Sequence, residues 1–183
     1  MPNVTLRLPA ESDRQELLSL RRASRAALEP WEPAPLLGTD VYGSEWFDRV
    51  LATSNTPARV RWLVCEKVSK LIVASVGIDQ ISRGPFNNGI MGWWCGTPYT
   101  NKGFMTAGIQ AALESAFRDE PLGLSLHRIE ANIRPENIAS LAVARKVGFR
   151  YEGHSPKYLQ IAGKYCDHSR FAIVREDWDF LKL

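Results

Sequence analysis

Cysteine is scarce: Cys65, Cys95 and Cys166 are the only three in 183 residues, odd in number and far apart. They lack the close pairing of a zinc site or a dithiol redox motif, so free thiols in a reducing compartment are expected. Charge of one sign is scarce too, because 23 Lys and Arg stand against 20 Asp and Glu for a net +3. That excludes wholesale wrapping of DNA and a polybasic membrane anchor, and leaves partners to be recognised locally. Long apolar runs are missing: the longest, 71–78, is interrupted by Ala74, Ser75 and Gly77, and residues 1–13 hold no apolar block of signal-peptide length. The expected location is therefore the cytoplasm, with no membrane partner. Neither repeats nor low-complexity tracts occur.

What is present is ordinary for a folded chain. Hydrophobic residues are 45% and charged residues 23%, far from the composition of a disordered segment, and the length predicts one domain over 1–183. Val4, Leu6 and Leu8 alternate with polar neighbours as in a strand. Leu17, Leu20, Ser24 and Leu28 recur at helical spacing, which predicts one helix over 11–28 stopped by Pro30. Pro30, Pro33 and Pro35 make 29–43 a loop, followed by a short helix at 44–51. Two β-rich runs, 61–68 and 71–81, flank a turn at Ser69 and Lys70; a third run, 89–96, completes three antiparallel strands.

After Pro98 the period lengthens. Ile109, Ala112, Leu113, Ala116 and Phe117 form the buried stripe of a helix starting near Gly103. A strand at 127–133 precedes Asn137, a helix N-cap, with Ile138, Leu141, Ala142 and Arg145 as its stripe and Gly148 as its end. Strands at 149–159 and 165–174 finish the chain. The architecture is α/β, antiparallel in front with two βα units behind.

Two segments carry chemistry. Residues 92–106 read strand, glycine-containing turn, helix start; free N–H groups at a helix N-terminus suit a phosphate, and Gly103 lets the backbone approach it. Taken alone, a glycine turn of this kind is more often structural. Residues 127–153 then contain Pro135-Glu-Asn-Ile-Ala-Ser140 followed by Lys146-Val-Gly-Phe-Arg-Tyr-Glu-Gly153. This stretch closely resembles the second half of the GNAT acetyltransferase superfamily. Glu29-Pro-Trp-Glu-Pro33, Arg83-Gly84 and Gly163-Lys-Tyr-Cys-Asp-His168 look like the Rim-type ribosomal-protein alanine N-acetyltransferases within it, extending the resemblance from about Leu6 to Trp178.

The resemblance implies a GNAT fold: a mixed, mostly antiparallel sheet with a splayed central strand pair and flanking helices. It further implies acetyl-CoA as co-substrate in the opening, no metal, and direct attack by an amine, here the N-terminal α-amine of a ribosomal or other protein. Cofactor contacts carry over to Cys95, Thr100, Asn101, Lys102, Gly103, Phe104, Met105, Thr106, Asn132 and Asn137. The turn departs from the family's Gln/Arg-x-x-Gly-x-Gly/Ala pattern, keeping only the middle glycine, and a side chain at Met105 would crowd the diphosphate. In the family the asparagine at 137 holds the pantetheine arm, and the serine at 140 lies near the thioester sulfur as acid for the departing thiolate.

A general base is less evident. The family position five residues before the asparagine is Asn132, which is no base at neutral pH. Glu130, on the same strand face, and Glu32, in the proline loop, are both candidates to relay a proton through water, and Glu32 is the one assigned to catalysis. An α-amine, with a pKa of about 7.7–8.0, is partly neutral already. His154, Cys166 and His168 fit no standard zinc spacing. Adjacent Trp93 and Trp94 face opposite ways on a strand, so one belongs to the core and the other to the substrate mouth, unless both are structural. Seven Lys and Arg against two acids in 144–175 form a basic stretch suited to RNA, to the cofactor's 3′-phosphate or simply to solvent. The alternative functions are acetylation of a small-molecule amine and a catalytically silent acetyl-CoA-binding regulatory module. A monomer or a homodimer fits equally.

Overall fold

The computed structural model describes residues 2–33 and 40–180; Pro35 of the expected loop lies outside them. Among the described residues the strands are β1 (Val4–Arg7), β2 (Asn55–Thr56), β3 (Arg59–Glu66), β4 (Ile72–Ser82), β5 (Asn88–Cys95), β6 (Arg128–Ile133), β7 (Arg150–Ile161) and β8 (Lys164–Val174). They form one sheet in the order β1-β3-β4-β5-β6-β8-β7, with β2 added beside β3. All pairings are antiparallel except β5 with β6. The apolar run that begins at Leu71 is explained by β4: it lies inside the sheet with residues 72–78 buried, as a strand covered on both faces requires.

The antiparallel front half matches its expectation, with one shift. β3 ends at Glu66, the turn occupies 67–71, and Val68, expected as the last strand residue, is fully out in solvent at 89% exposure. Lys70, at φ 64°, closes this turn by donating its N–H to the Glu66 carbonyl.

The single helix expected over 11–28 is broken instead. A 3-10 turn (Glu11–Asp13) leads into α1 (Arg14–Ala23), then α2 (Arg25–Leu28) and a second 3-10 turn (Glu29–Trp31). The break falls at Ser24, whose hydroxyl donates to the Leu20 carbonyl at 2.8 Å and accepts the Thr97 N–H at 2.9 Å. A side chain competing for the helix's own carbonyls bends it. Pro30 does not end the segment, since it sits in the first turn of the 3-10 piece, where its missing N–H costs nothing.

The helix α3 (Ser44–Thr53) runs two residues longer than expected. In α4 (Phe104–Phe117) the stripe Ile109, Ala112, Leu113, Ala116 and Phe117 is buried against the sheet. In α5 (Ile138–Val147) the expected stripe holds only at Leu141: it is buried together with Ala144 and Val147, whereas Ile138, Ala142 and Arg145 are exposed. Asn137 caps the helix, and Gly148 at φ 104° ends it, with the Phe149 N–H on the Ala144 carbonyl. The two-residue β2 and α6 (Arg175–Phe180) were not anticipated, being too short to show a period.

The feature that positions the site is a seam. β5 pairs with β6 only through Asn88, Gly89 and Ile90 on Arg128, Ile129 and Glu130. Beyond Ile90, β5 stays bonded to β4 as far as Cys95, and β6 stays bonded to β8 as far as Ile133. The two strands therefore separate from each other while each keeps its outer neighbour. One core cluster, with Val76, Met91, Ile109, Leu113, Ile129 and Phe171, fills the side under α4 and α5; a second, with Leu17, Phe47, Leu63 and Ile72, fills the side under α1 and α3.

Candidate active site

At the mouth of the seam the chain leaves β5 through a 3-10 turn (Thr97–Tyr99), passes Asn101 at φ 59° and Gly103 at φ 82°, and enters α4. Gly103 suits the left-handed backbone, where an L side chain is strained, and a Cβ there would also sit tight at 3.1 Å from Pro2 Cδ. The first N–H groups of α4 have no acceptor within the helix, and the side chains of Phe104, Met105 and Thr106 are buried. The Met105 side chain is packed into the core under α4, and the residue also lines the cavity that begins at this turn.

A cavity of about 480 Å³ extends from this turn along the seam. Cys95, Thr100, Asn101, Gly103, Phe104, Met105, Thr106 and Asn137 line it, together with Trp93, Trp94 and Lys146. Lys102 is not among the lining residues, and its ammonium lies 5.8 Å from the Tyr99 ring. Burial pushes the Cys95 thiol up to about 11, so it stays protonated at neutral pH and supplies no thiolate. The size, the helix N-terminus and the lysine together fit a long phosphate-bearing cofactor such as acetyl-CoA.

A second cavity, about 160 Å³, lies deeper in the seam and is lined by Met91, Gly92, Asn132, Ile133, Arg134 and His168. Asn132, expected among the cofactor contacts, lines this smaller cavity instead. The two cavities share Trp31, Trp93, Asn137 and Ser140. The side-chain oxygen of Asn137 accepts the Ser140 N–H at 3.1 Å, so its N-cap role is real and its amide N–H groups remain for other partners. Asn132 Oδ1 is buried and accepts no hydrogen bond, an orphan acceptor.

The carboxylates have other partners. Glu130 is buried, accepts from Arg170 at 2.7 Å and Arg128 at 3.1 Å, and lines neither cavity. Glu32 accepts from Arg21 at 2.8 and 2.9 Å and lines neither cavity. Arg21 is buried, donates through Nε to the Val41 carbonyl at 2.9 Å, and lies over Trp46 at 4.3 Å and Tyr42 at 5.1 Å. Arg134 donates to the Pro30 carbonyl at 3.0 Å and stacks on Trp31 at 5.4 Å, holding the ring that walls both cavities.

Among the described residues no group of His, Cys, Asp and Glu is placed to hold a metal. His154 faces away from His168, bonding Asp167 at 3.0 Å, while His168 bonds the Cys166 carbonyl. Three of the seven basic residues are paired internally: Arg150 with Asp177, Arg170 with Glu130 and Arg175 with Asp119. Of the seven, Lys146 reaches the larger cavity. No helix among the described residues is long and apolar enough to cross a membrane.

A sheet opened beside a helix N-terminus, with a cofactor-sized cavity meeting a small polar one, defines a class: acyltransferases that take an acyl-CoA thioester and an amine. Comparison gives the family. The model of the acetyltransferase (GNAT) domain matches residues 3–150, and the chain belongs to this family. It is 27% identical over 178 residues to the [Ribosomal protein uS5]-alanine N-acetyltransferase of Escherichia coli, covering 96% of this chain and 89% of that one. It is 34% identical to a Bacillus subtilis protein named "Probable N-acetyltransferase YjcK", covering 58% of this chain but only 56% of that relative's length. The solved structure of Mycobacterium smegmatis RimJ with CoA-disulfide is similar at a TM-score of 0.85 and 29% identity, covering 95% of this chain and 83% of that one. The expected fold is thus found, splayed strand pair included.

Proposed function

We propose that this chain transfers the acetyl group of acetyl-CoA to the N-terminal α-amine of a protein, with a ribosomal protein as the acceptor. The observation that carries the reading is the meeting of the two cavities at Asn137 and Ser140. The larger one seats the cofactor: N–H groups at the start of α4 and Lys146 meet its phosphates, and the Asn137 amide meets the pantetheine arm. The cofactor supplies the activated acyl group. Ser140, at the junction, hydrogen-bonds the departing sulfur; a thiol of pKa near 8.5 needs only modest help to leave. The smaller cavity receives the amine, whose N–H groups find the unpaired Asn132 Oδ1. Its volume suits a small terminal residue, in keeping with the alanine named for the E. coli relative.

Glu32 takes a positioning role in this reading. Its bond to Arg21 and the Ala162 N–H on its carbonyl, at 3.2 Å, hold the Trp31 segment over the junction. Thiol release from acetyl-CoA tests the whole, using a peptide with free N-terminal alanine, an N-terminally blocked lysine peptide and a polyamine, since the fold itself does not choose its acceptor. Turnover with the first alone is the expected result. Equal turnover of the blocked peptide defeats the α-amine assignment, and preference for the polyamine makes the enzyme a small-molecule acetyltransferase.

A further inference from the structure

A base for the acceptor ammonium is missing from the carboxylates, since Glu130 and Glu32 are both held by guanidinium groups. The wall of the smaller cavity holds another candidate. β8 pairs Arg170 with Asn132 on β6, so Asn132, Arg170 and, two residues along, His168 share one face of the sheet. His168 is buried at 2% exposure, yet it lines the cavity. Its Nδ1 lies 3.0 Å from the Cys166 carbonyl oxygen, which can only accept, so Nδ1 carries the proton and a neutral ring keeps its lone pair on Nε2. The Tyr158 ring stands edge to face with it at 5.6 Å and fixes its plane.

We propose that His168 is the group that takes the proton from the acceptor's ammonium, through Nε2, with Asn132 Oδ1 accepting a second N–H of the same nitrogen. This role rests on the α-amine reading above. The neutral ring is favoured: burial, first, pushes its pKa down, the Cys166 carbonyl pushes back, and the nearby Arg134 and then Arg170 add to the lowering against Glu136, with a net shift downward. Asp167, the neighbouring acid on the strand, bonds His154 and the Lys157 N–H instead. Once His168 holds the proton, the amine's lone pair attacks the thioester carbon. The N–C bond forms, and the C–S bond breaks with its electron pair on sulfur. The nitrogen's second proton passes to sulfur by way of the Ser140 hydroxyl, and His168 returns its own to water. The products are the N-acetyl amine, the free thiol and one proton.

The test is the pH dependence of kcat/KM in the wild type and in His168→Asn, which keeps a donor for the Cys166 carbonyl and has no base. With a free N-terminal alanine peptide the wild type is expected to stay level between pH 6.5 and 7.5. The variant is expected to fall about 5- to 10-fold at pH 7, where most of an amine of pKa about 7.7–8.0 is still protonated, and to climb with pH until the amine's own pKa. An aminooxyacetyl peptide, whose terminal nitrogen is already neutral at pH 7, should be acetylated equally by both, and acetyl-CoA affinity by calorimetry should not change. A level profile in the variant, or equal slowing with both peptides, overturns the role. If the variant does not fold, the wild type alone decides, because a tenfold rise per unit up to about pH 8 with the alanine peptide shows that no base assists. Absence of thiol release by the wild type with every peptide overturns the α-amine reading as well, whereas a level variant profile overturns His168 alone.

Discussion

Replacing Glu32 by Gln separates a positioning role from a proton-transfer role. Arg21 is buried, its guanidinium faces Trp46, Tyr42 and Trp94, and Glu32 is the carboxylate that neutralises it. Removing one partner of a fully buried pair costs about 3–5 kcal/mol. The Glu32 side chain keeps 26% exposure, so water screens part of that loss and about 2 kcal/mol is expected. For a domain of this size that lowers Tm by roughly 4–8 °C, readable by thermal melts and by the urea midpoint. The double replacement Arg21→Met with Glu32→Leu should recover most of the loss, because apolar residues in place of both charges leave nothing unpaired. Kinetically, Glu32→Gln should raise KM for peptide and acetyl-CoA together, since Trp31 walls both cavities. Wild-type stability combined with an upward shift of the pH profile would refute the argument and return Glu32 to proton transfer.

Other outcomes follow from single contacts. Ser140→Ala should lower kcat on the order of 10²-fold with little change in acetyl-CoA affinity; full activity in a steady-state assay removes the acid. Asn137→Ala should cost about 1 kcal/mol of stability by urea titration, from the lost cap on the Ser140 N–H, and also weaken acetyl-CoA binding. Gly103→Val cannot hold φ 82° without strain and meets Pro2, so calorimetry should show acetyl-CoA binding weakened on the order of tenfold in a folded protein. For Asp13, burial raises the carboxyl pKa, but two bonds from Arg7 at 2.6 Å and the Ala10 N–H outweigh it, and the net shift is downward. Its contribution is thus present above the ordinary aspartate pKa of about 3.9 and lost as pH falls through the lower folded value; Asp13→Asn should flatten that acid limb in denaturation measured against pH.

Period and punctuation made most of the fold legible. The α4 stripe from Ile109 to Phe117 and the three front strands needed only spacing and turn residues, and the family resemblance supplied the seam. What escaped depends on partners distant in sequence. The break at Ser24 is made by a hydroxyl that also serves Thr97, 73 residues away. The rotation of α5 hides behind an ambiguous stripe, because Ala142 and Ala144 are alike to a periodicity argument but only one meets the sheet. In the site, Gly103 before a helix start pointed to the phosphate turn, and the family resemblance supplied the roles of Asn137 and Ser140. Asn132 lines the smaller cavity and not the larger, a distinction strand alternation does not make because it gives a face and not a cavity. His168 was weighed only as a metal ligand; its pairing with the Cys166 carbonyl, which decides its tautomer, is invisible without β8 in place. The burial of Arg21 among aromatic rings has no signal in the local sequence.

The two cavities touch only through Trp31, Trp93, Asn137 and Ser140, and each has a lining of its own. Under the proposed reading each reactant has a seat of its own and the two meet at this junction, so double-reciprocal plots are expected to intersect with no acetylated enzyme accumulating, whereas parallel lines would indicate a covalent intermediate.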